Sequence, residues 1–282
     1  MFFNFGLIGY PLGHSLSPKI HTTALQACGL LGSYALFPIL PDDQHGLADL
    51  LARVRGGELH GLNVTIPHKQ NVMPLLDELT PTAQAIGAVN TISMQNGQLT
   101  GDNTDAPGFL ADLKKFLTTE TRRRGDKNSA LVLGAGGGAR AVVYALVNAG
   151  WNVAITDIHP KQTEALVAHF SFPESRLASI EYTPAALRAL LPELNLIVNA
   201  TPVGMSPNED GSPWPERLPL PSSVAIYDLV YNPRKTKLVK DAHVAGLPAV
   251  TGLGMLVEQA ALSFEVWTGC APSRDALRAA VN

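Results

Sequence analysis

Strand-like apolar runs alternate with segments of helical period along this 282-residue chain, which predicts an α/β fold with parallel sheets. A second sign is a glycine-rich turn, residues 134–139, that joins an apolar run to a helical segment. A third is a set of short polar side chains at the expected strand ends, the usual place for ligands in open α/β sheets. The length suits two ordinary domains or one large one.

The composition narrows the function classes. Hydrophobic residues make up 46% and charged residues 16%, enough apolar content for packed cores and against disorder. Lys plus Arg is 21 against 24 for Asp plus Glu, so no basic excess exists to neutralise a phosphate backbone, and no nucleic-acid partner is expected. No apolar run reaches membrane-span length, and the first residues lack a basic n-region and a cleavage site. We expect no membrane partner and a cytoplasmic location. Cys28 and Cys270 are too few for a disulfide framework and read as small hydrophobes in a reducing compartment. No paired His or Cys ligand spacing occurs, so no metal is expected.

The elements follow in order. Residues 2–9 read as a strand ending in a Gly-Tyr-Pro turn. Ser17-Pro18 opens a helix, with Ser17 as N-cap and Pro18 at the first helical position. A strand is expected over 34–40. A helix follows with Leu47, Leu50, Leu51 and Val54 on one face. Residues 62–66 form a short strand stopped by Pro67, and Val72, Leu75, Leu76 and Leu79 mark a further helix. Asn96-Gly97 between two apolar runs is a two-residue hairpin signal. Phe109, Leu110, Leu113 and Phe116 mark a helix running into a polar stretch, 118–128, read as a linker or exposed loop. Strands are then expected over 130–133, 152–157, 194–200 and 224–229. Residues 206–223, rich in Pro, Asp and Ser, read as a mobile loop. Helices from about Gly254 and Ser273 close the chain.

The turn Gly134-Ala135-Gly136-Gly137-Gly138-Ala139 fits G-x-G-x-x-G/A. The first glycine allows the tight turn, the second lets a pyrophosphate approach the backbone, and small Ala139 lets helix and strand pack closely. The helix N-terminus offers free N–H groups to phosphates. Asp157 ends the next strand, where an acid accepts hydrogen bonds from ribose hydroxyls and repels a 2′-phosphate. Lys161 is the only cation in residues 157–162. Together these residues point to a nicotinamide dinucleotide, NAD before NADP.

The first hundred residues hold a second set: Ser15-Leu16-Ser17-Pro18, Asn63-Val64-Thr65 with Pro67 and Lys69, Gly87-Ala88-Val89-Asn90-Thr91, and Asn103-Thr104-Asp105. Further on come Asn199-Ala200-Thr201-Pro202-Val203-Gly204-Met205, Tyr227-Asp228-Leu229-Val230-Tyr231, and Gly254-Met255-Leu256-Val257-Glu258-Gln259. With the glycine turn, these ordered motifs resemble the shikimate dehydrogenase family over essentially the whole chain.

The resemblance implies a substrate domain, residues 1–104 with 252–282, and a Rossmann domain, residues 105–251, with the active site between them. In that layout the chain crosses the cleft near Asp105 and near Gly252-Leu253-Gly254, where glycines can absorb dihedral change, so closure during turnover is expected. It implies reversible reduction of 3-dehydroshikimate to shikimate, with quinate or an amino analogue as alternative substrates. Position by position, it assigns Ser15 and Ser17 to the substrate carboxylate, with Tyr231 near it. It assigns Asn63, Thr65, Asn90, Asp105 and Gln259 to ring hydroxyls, and Lys69 with Asp105 to the catalytic pair. Thr201, Met205, Gly252 and Met255 join the glycine turn on the cofactor, the two methionines at the nicotinamide. A monomer or homodimer is expected.

Three positions depart from the family pattern. Thr156-Asp157-Ile158-His159 replaces the basic cluster of NADP-type members, Thr22 stands where Asn is common, and Pro202 where Ser is usual. Two rival readings are a tetrahydrofolate or amino-acid dehydrogenase of similar layout, and a family member that binds ligand without turning it over. Neither rival calls for this set: the first has no need of the Ser15, Asn63 and Asn90 groups, and the second none of an intact Lys69 and Asp105.

Overall fold

A computed structural model describes residues 1–120, 128–170, 172–173 and 175–282. The chain forms two compact units, one of residues 1–108 and 256–282, the other of residues 109–255. The changeovers come a few residues after the expected 105 and 252, because each falls inside a helix.

The first unit contains β1 (Phe2–Gly9), α1 (Ser17–Ala27), β2 (Leu31–Pro38), α2 (Gln44–Arg55), β3 (Gly61–Val64), β4 (Glu78–Leu79), α3 (Pro81–Ile86), β5 (Thr91–Gln95) and β6 (Gln98–Asp102). It also takes the start of α4 (Asp105–Glu120), most of α9 (Leu253–Thr268), and α10 (Arg274–Val281). Its sheet has the order β2-β1-β3-β5-β6-β4. β1 runs parallel to β2 and β3, while β5 is antiparallel to β3 and β6, so this sheet is mixed rather than parallel as expected. The reason is the hairpin: Asn96 and Gly97 both adopt positive φ, 51° and 79°, and a two-residue turn can only return antiparallel. Ile8, Leu47, Leu51, Leu62, Ile92 and Leu99 pack into one core cluster.

The sheet carries its polar groups at one end. β1 and β3 are parallel with Ile8 beside Val64, so the segments leading to Ser17 and to Lys69 leave the same edge. β5 starts at Thr91 opposite Asn63, and β6 ends at Asp102 opposite Thr91. Asn90 and Asn103-Thr104-Asp105 therefore emerge there too.

The second unit contains β7 (Ser129–Leu133), α5 (Gly137–Asn148), β8 (Asn152–Thr156), α6 (Pro160–His169), β9 (Leu177–Ser179), α7 (Pro184–Leu190), β10 (Leu196–Asn199), β11 (Ala225–Asp228), α8 (Lys237–Val244) and β12 (Ala249–Thr251). All its strands are parallel, in the order β12-β11-β10-β7-β8-β9. In chain order that is 3-2-1-4-5-6 read from β9, the doubly wound arrangement that binds dinucleotides where the order reverses, between β7 and β10. Leu131, Leu133, Leu187, Ile197 and Ile226 lie in its core.

Several expectations change. Residues 72–79 form only a 3-10 turn, Met73–Leu75, followed by β4, because Pro74 removes a helical donor. Residues 206–223 carry no helix or strand, but they are anchored. Trp214 and Leu218 are buried, the Trp214 Nε1–H donates to Leu218 O at 2.7 Å, and Tyr182 donates to Pro213 O at 2.7 Å. The stretch 118–128 begins as the last turn of α4, and residues 121–127 of it lie outside the described residues. Cys28 and Cys270 are not independent hydrophobes: they form a disulfide between the end of α1 and the segment joining α9 to α10.

Candidate active site

Lys69 and Asp105 form an ion pair with side chains only 14% and 6% exposed. Lys69 follows the β3 end and Asp105 is the first residue of α4. The second Asp105 oxygen accepts from Asn90 Nδ2 at 2.9 Å, and its backbone N–H donates to Asn103 Oδ1 at 3.1 Å. One carboxylate thus holds an ammonium on one side and is itself held by an amide on the other. A pair so shielded from water keeps a proton at a fixed place and can pass it to an oxygen set beside it.

Asn90 is almost fully committed. Its Oδ1 accepts from Thr104 N–H at 2.8 Å and Thr91 Oγ1–H at 2.9 Å, and Nδ2 reaches Thr104 Oγ1 at 2.9 Å. The longest contact of Nδ2 is Gln259 Oε1 at 3.3 Å, and Gln259 is anchored through Nε2 to Leu256 O. Asn63, 5% exposed, accepts from Tyr34 Oη–H at 2.9 Å and donates to Asn90 O at 3.1 Å and Ser263 Oγ at 3.0 Å.

The hydroxyls of Ser17 and Thr65 have no hydrogen-bond partner among the described residues, and Ser17 is buried. The expected capping role of Ser17 is wrong. Leu16 is the N-cap of α1 with no side-chain hydrogen bond, Ser17 is already helical, and its own N–H donates to Ser15 Oγ at 3.2 Å. Ser17 is therefore available to a ligand in a way that a capping serine is not.

In the second unit Gly134 has φ 104°, and a Cβ there would lie 2.9 Å from Thr201 Cγ2 and 3.0 Å from the Ala200 carbonyl carbon. The glycine turn thus lies directly against the loop that follows β10. A Cβ on Gly136 would meet nothing within 4 Å, α5 has no side-chain cap, and Ala139 is fully buried. Open space beside uncapped N–H groups is what a pyrophosphate requires. One turn into α5, Arg140 Nε is buried without a hydrogen-bond partner among the described residues, and burial lowers the pKa of its guanidinium. Asp157 accepts from Ala135 N–H at 3.0 Å and from His159 N–H at 2.9 Å, which leaves further lone pairs for ribose hydroxyls. It does not cap α6, whose N-cap is His159. These residues fit a dinucleotide.

The Thr201 loop is pinned from below. Asn199 Oδ1 accepts from Thr201 N–H and Oγ1–H, at 2.9 and 2.7 Å, and Asn199 Nδ2 donates to Asp228 at 2.8 Å. Asp228 also accepts from Val230 N–H and Thr236 Oγ1–H, yet burial pushes its carboxyl up to about 6. Met205 is exposed, Met255 is buried, and Tyr231 is half-buried with its phenol pushed up by burial. Gly252 packs on backbone, since a Cβ there would lie 2.3 Å from Leu229 O.

Tyr34 and Ser263 carry no signal in the sequence, and Thr91 stands there only as part of the motif with Asn90. Each looks like an ordinary core or helix position, and only the sheet pairing brings them to Asn63 and Asn90. His68, next to Lys69, is buried with Nε2 at 2.8 Å from Ile39 O. Among the described residues no group of three or more His, Cys, Asp or Glu could hold a metal ion, and no helix is long and apolar enough to cross a membrane.

Comparison with known proteins places these features in company. Residues 7–92 match the family model of the shikimate dehydrogenase substrate binding domain, and residues 252–281 that of the shikimate 5'-dehydrogenase C-terminal domain. A Salinibacter ruber protein named shikimate dehydrogenase (NADP(+)) is 42% identical over 270 residues, covering 93% of this chain and 90% of its own length. The crystal structure of shikimate 5-dehydrogenase from Thermus thermophilus with NADP(H) and shikimate superposes with a TM-score of 0.84 at 39% identity, covering 99% and 98% of the two chains. A quinate dehydrogenase from Corynebacterium glutamicum in complex with NAD gives 0.85 at 30% identity, covering 99% and 98%.

Proposed function

The chain belongs to the shikimate dehydrogenase family, and from that premise we propose that it interconverts shikimate and 3-dehydroshikimate, with NAD preferred over NADP. It is an NAD(P)-dependent oxidoreductase. The observation that carries the catalytic reading is the shielded Lys69–Asp105 pair, held by Asn90 at the sheet end where the Ser17 and Thr65 hydroxyls stand unpartnered.

When bound, the nicotinamide supplies or accepts the hydride. Lys69 handles the matching proton. In the reduction its ammonium donates to the oxygen of the ketone as charge develops there, and in the oxidation its amine takes that proton from the hydroxyl. Asp105 keeps the ammonium in place. Ser15 and Ser17 hold the substrate carboxylate, with Tyr231 near it. Thr65, Asn63, Asn90 and Gln259 serve the ring hydroxyls, one of which takes over the long Asn90–Gln259 contact.

Residues 134–139 hold the pyrophosphate and Thr201 supports that turn, while Met205, Gly252 and Met255 serve the nicotinamide side. The NAD preference rests on Asp157, since a carboxylate gains hydrogen bonds from ribose hydroxyls and repels a 2′-phosphate. The curated relative named above is described for NADP(+), whereas the C. glutamicum quinate enzyme holds NAD. That similarity also supports quinate as a second substrate.

The experiment is a matrix of shikimate and quinate against NAD and NADP, scored by kcat/KM. The reading expects the highest value for shikimate with NAD. Activity on none of the four combinations sinks it.

A further inference from the structure

We propose that Ser263 is a positioning residue for the Lys69–Asp105 pair, the link in a hydrogen-bond chain that runs donor to acceptor from Tyr34 to the Asp105 carboxylate, which Lys69 meets from the other side. The inference deepens the catalytic reading above and rests on it.

Two backbone groups fix the orientation of the amides at the two ends of this chain. A carbonyl oxygen can only accept, so the Asn63 group facing Asn90 O must be its NH2, 3.1 Å away. Asn63 Oδ1 then faces Tyr34 Oη, which donates to it at 2.9 Å. The remaining Asn63 Nδ2 hydrogen meets Ser263 Oγ at 3.0 Å, and Ser263 must accept it. At the far end a backbone N–H can only donate. Thr104 N–H therefore fixes the atom 2.8 Å away as Asn90 Oδ1. Thr91 Oγ1 lies 2.9 Å from that same oxygen and must donate to it. Having spent its proton, Thr91 accepts from Ser263 Oγ–H at 2.7 Å, the shortest contact of that hydroxyl. Asn90 Nδ2 then faces Asp105, whose other oxygen holds Lys69.

Ser263 is the junction. It is fully buried on α9, accepts from Asn63, lies 3.0 Å from Thr104 Oγ1 and donates to Thr91. Two other acceptors are in reach of its proton, Gln259 O and Thr104 Oγ1, each at 3.0 Å against 2.7 Å for Thr91. A hydroxyl there can pass one orientation from Asn63, assigned above to the ring hydroxyls, to Asn90, which holds Asp105. Buried chains of this kind strengthen each member and lose more than one bond when broken.

The test compares Ser263→Ala and Thr91→Val, alone and together, with Lys69→Ala in the same assay. Thr91→Val keeps the shape and removes only the hydroxyl. Each single variant should lower kcat/KM for shikimate about 2- to 12-fold, the scale of one hydrogen bond, and leave KM for the dinucleotide unchanged. The double variant should be no worse than the worse single one, because both cut the same chain. A readout independent of turnover is the exchange rate of the Asn90 side-chain amide hydrogens by NMR. Ser263 does not touch that amide, yet Ser263→Ala should speed its exchange. Unchanged exchange, additive losses, or a dinucleotide KM that moves as far as the shikimate KM overturns the proposal. If Lys69→Ala keeps a normal kcat, the catalytic assignment is what fails. If Lys69→Ala is crippled while Ser263→Ala and Thr91→Val behave as the unmodified protein, only the chain fails.

Discussion

Asp157 accepts a hydrogen bond from the Ala135 N–H at 3.0 Å, which ties the carboxylate at the end of β8 to the glycine turn at the end of β7. The acid is thus oriented before any dinucleotide arrives, and swinging it away from a 2′-phosphate breaks a bond the turn uses. Two unit charges about 4 Å apart at an effective dielectric of about 20 repel by about 4 kcal/mol. Screening reduces this, so we expect NAD to be favoured about 5- to 150-fold in kcat/KM, a coupling of about 1–3 kcal/mol. Asp157→Ala should narrow that ratio, and equal kcat/KM values for the two cofactors in the unmodified protein would contradict it.

Ser17→Ala should raise the shikimate KM with little change in kcat, because a contact to a carboxylate away from the reacting carbon is the same in ground and transition states. A hydrogen bond to a charged group contributes about 1.5–3 kcal/mol. The thermal midpoint should not fall as it does on losing a cap, because the Ser17 hydroxyl caps nothing. A drop in stability with an unchanged KM would reverse the assignment.

Acid should destabilise the first unit through His21. This ring is fully buried and stacks on Tyr34 at 4.3 Å, and the Asn63 side chain beside it offsets the burial only in part. Burial depresses it from 6.5 to about 3. The native state therefore refuses a proton that the unfolded chain accepts below pH 6.5. The stability is complete above that value and falls as the pH drops toward 3, by about 5 kcal/mol over the window. His21→Phe keeps the stack and should flatten the thermal midpoint against pH in that range. An unaltered slope would mean that another group sets the acid limit.

Asp228 should act in the opposite sense. Its folded value of about 6 lies above the ordinary 3.8. Between those values the native state keeps a proton the unfolded chain has released, so this contribution is present at low pH and is lost as the pH rises to about 6, by about 3 kcal/mol. Asp228→Asn should remove that loss. It should also raise KM for the dinucleotide, because Asp228 holds Asn199 and Asn199 holds Thr201 against the glycine turn. Differential scanning at several pH values reads the first effect and initial rates the second.

What the sequence made legible were features with fixed local spacing. The glycine turn, the acid that ends β8, the Asn96-Gly97 hairpin and the polar residues that flank β3 all carry their chemistry within a few positions. What it hid depends on distance along the chain. Ser263 meets Asn63 across 200 residues and Cys28 meets Cys270 across 242, and no local pattern encodes either meeting. Apolar periodicity at Val72, Leu75 and Leu76 suggested a helix, but Pro74 outweighed it. Ser17 before Pro18 has the composition of a cap, and the helix begins one residue earlier than that composition implies. Trp214 shows that a Pro-rich segment can be fixed by one buried aromatic ring.

The central claim, nicotinamide-dependent oxidation of shikimate through Lys69, is tested most directly by initial rates of NAD reduction for the unmodified protein and Lys69→Ala. The unmodified protein should reduce NAD only when shikimate is present. Lys69→Ala should lose about 10²- to 10⁴-fold in kcat, the scale of one general acid–base group, with a much smaller change in the shikimate KM. No shikimate-dependent reduction by the unmodified protein, or a Lys69→Ala protein with near-normal kcat, would contradict it.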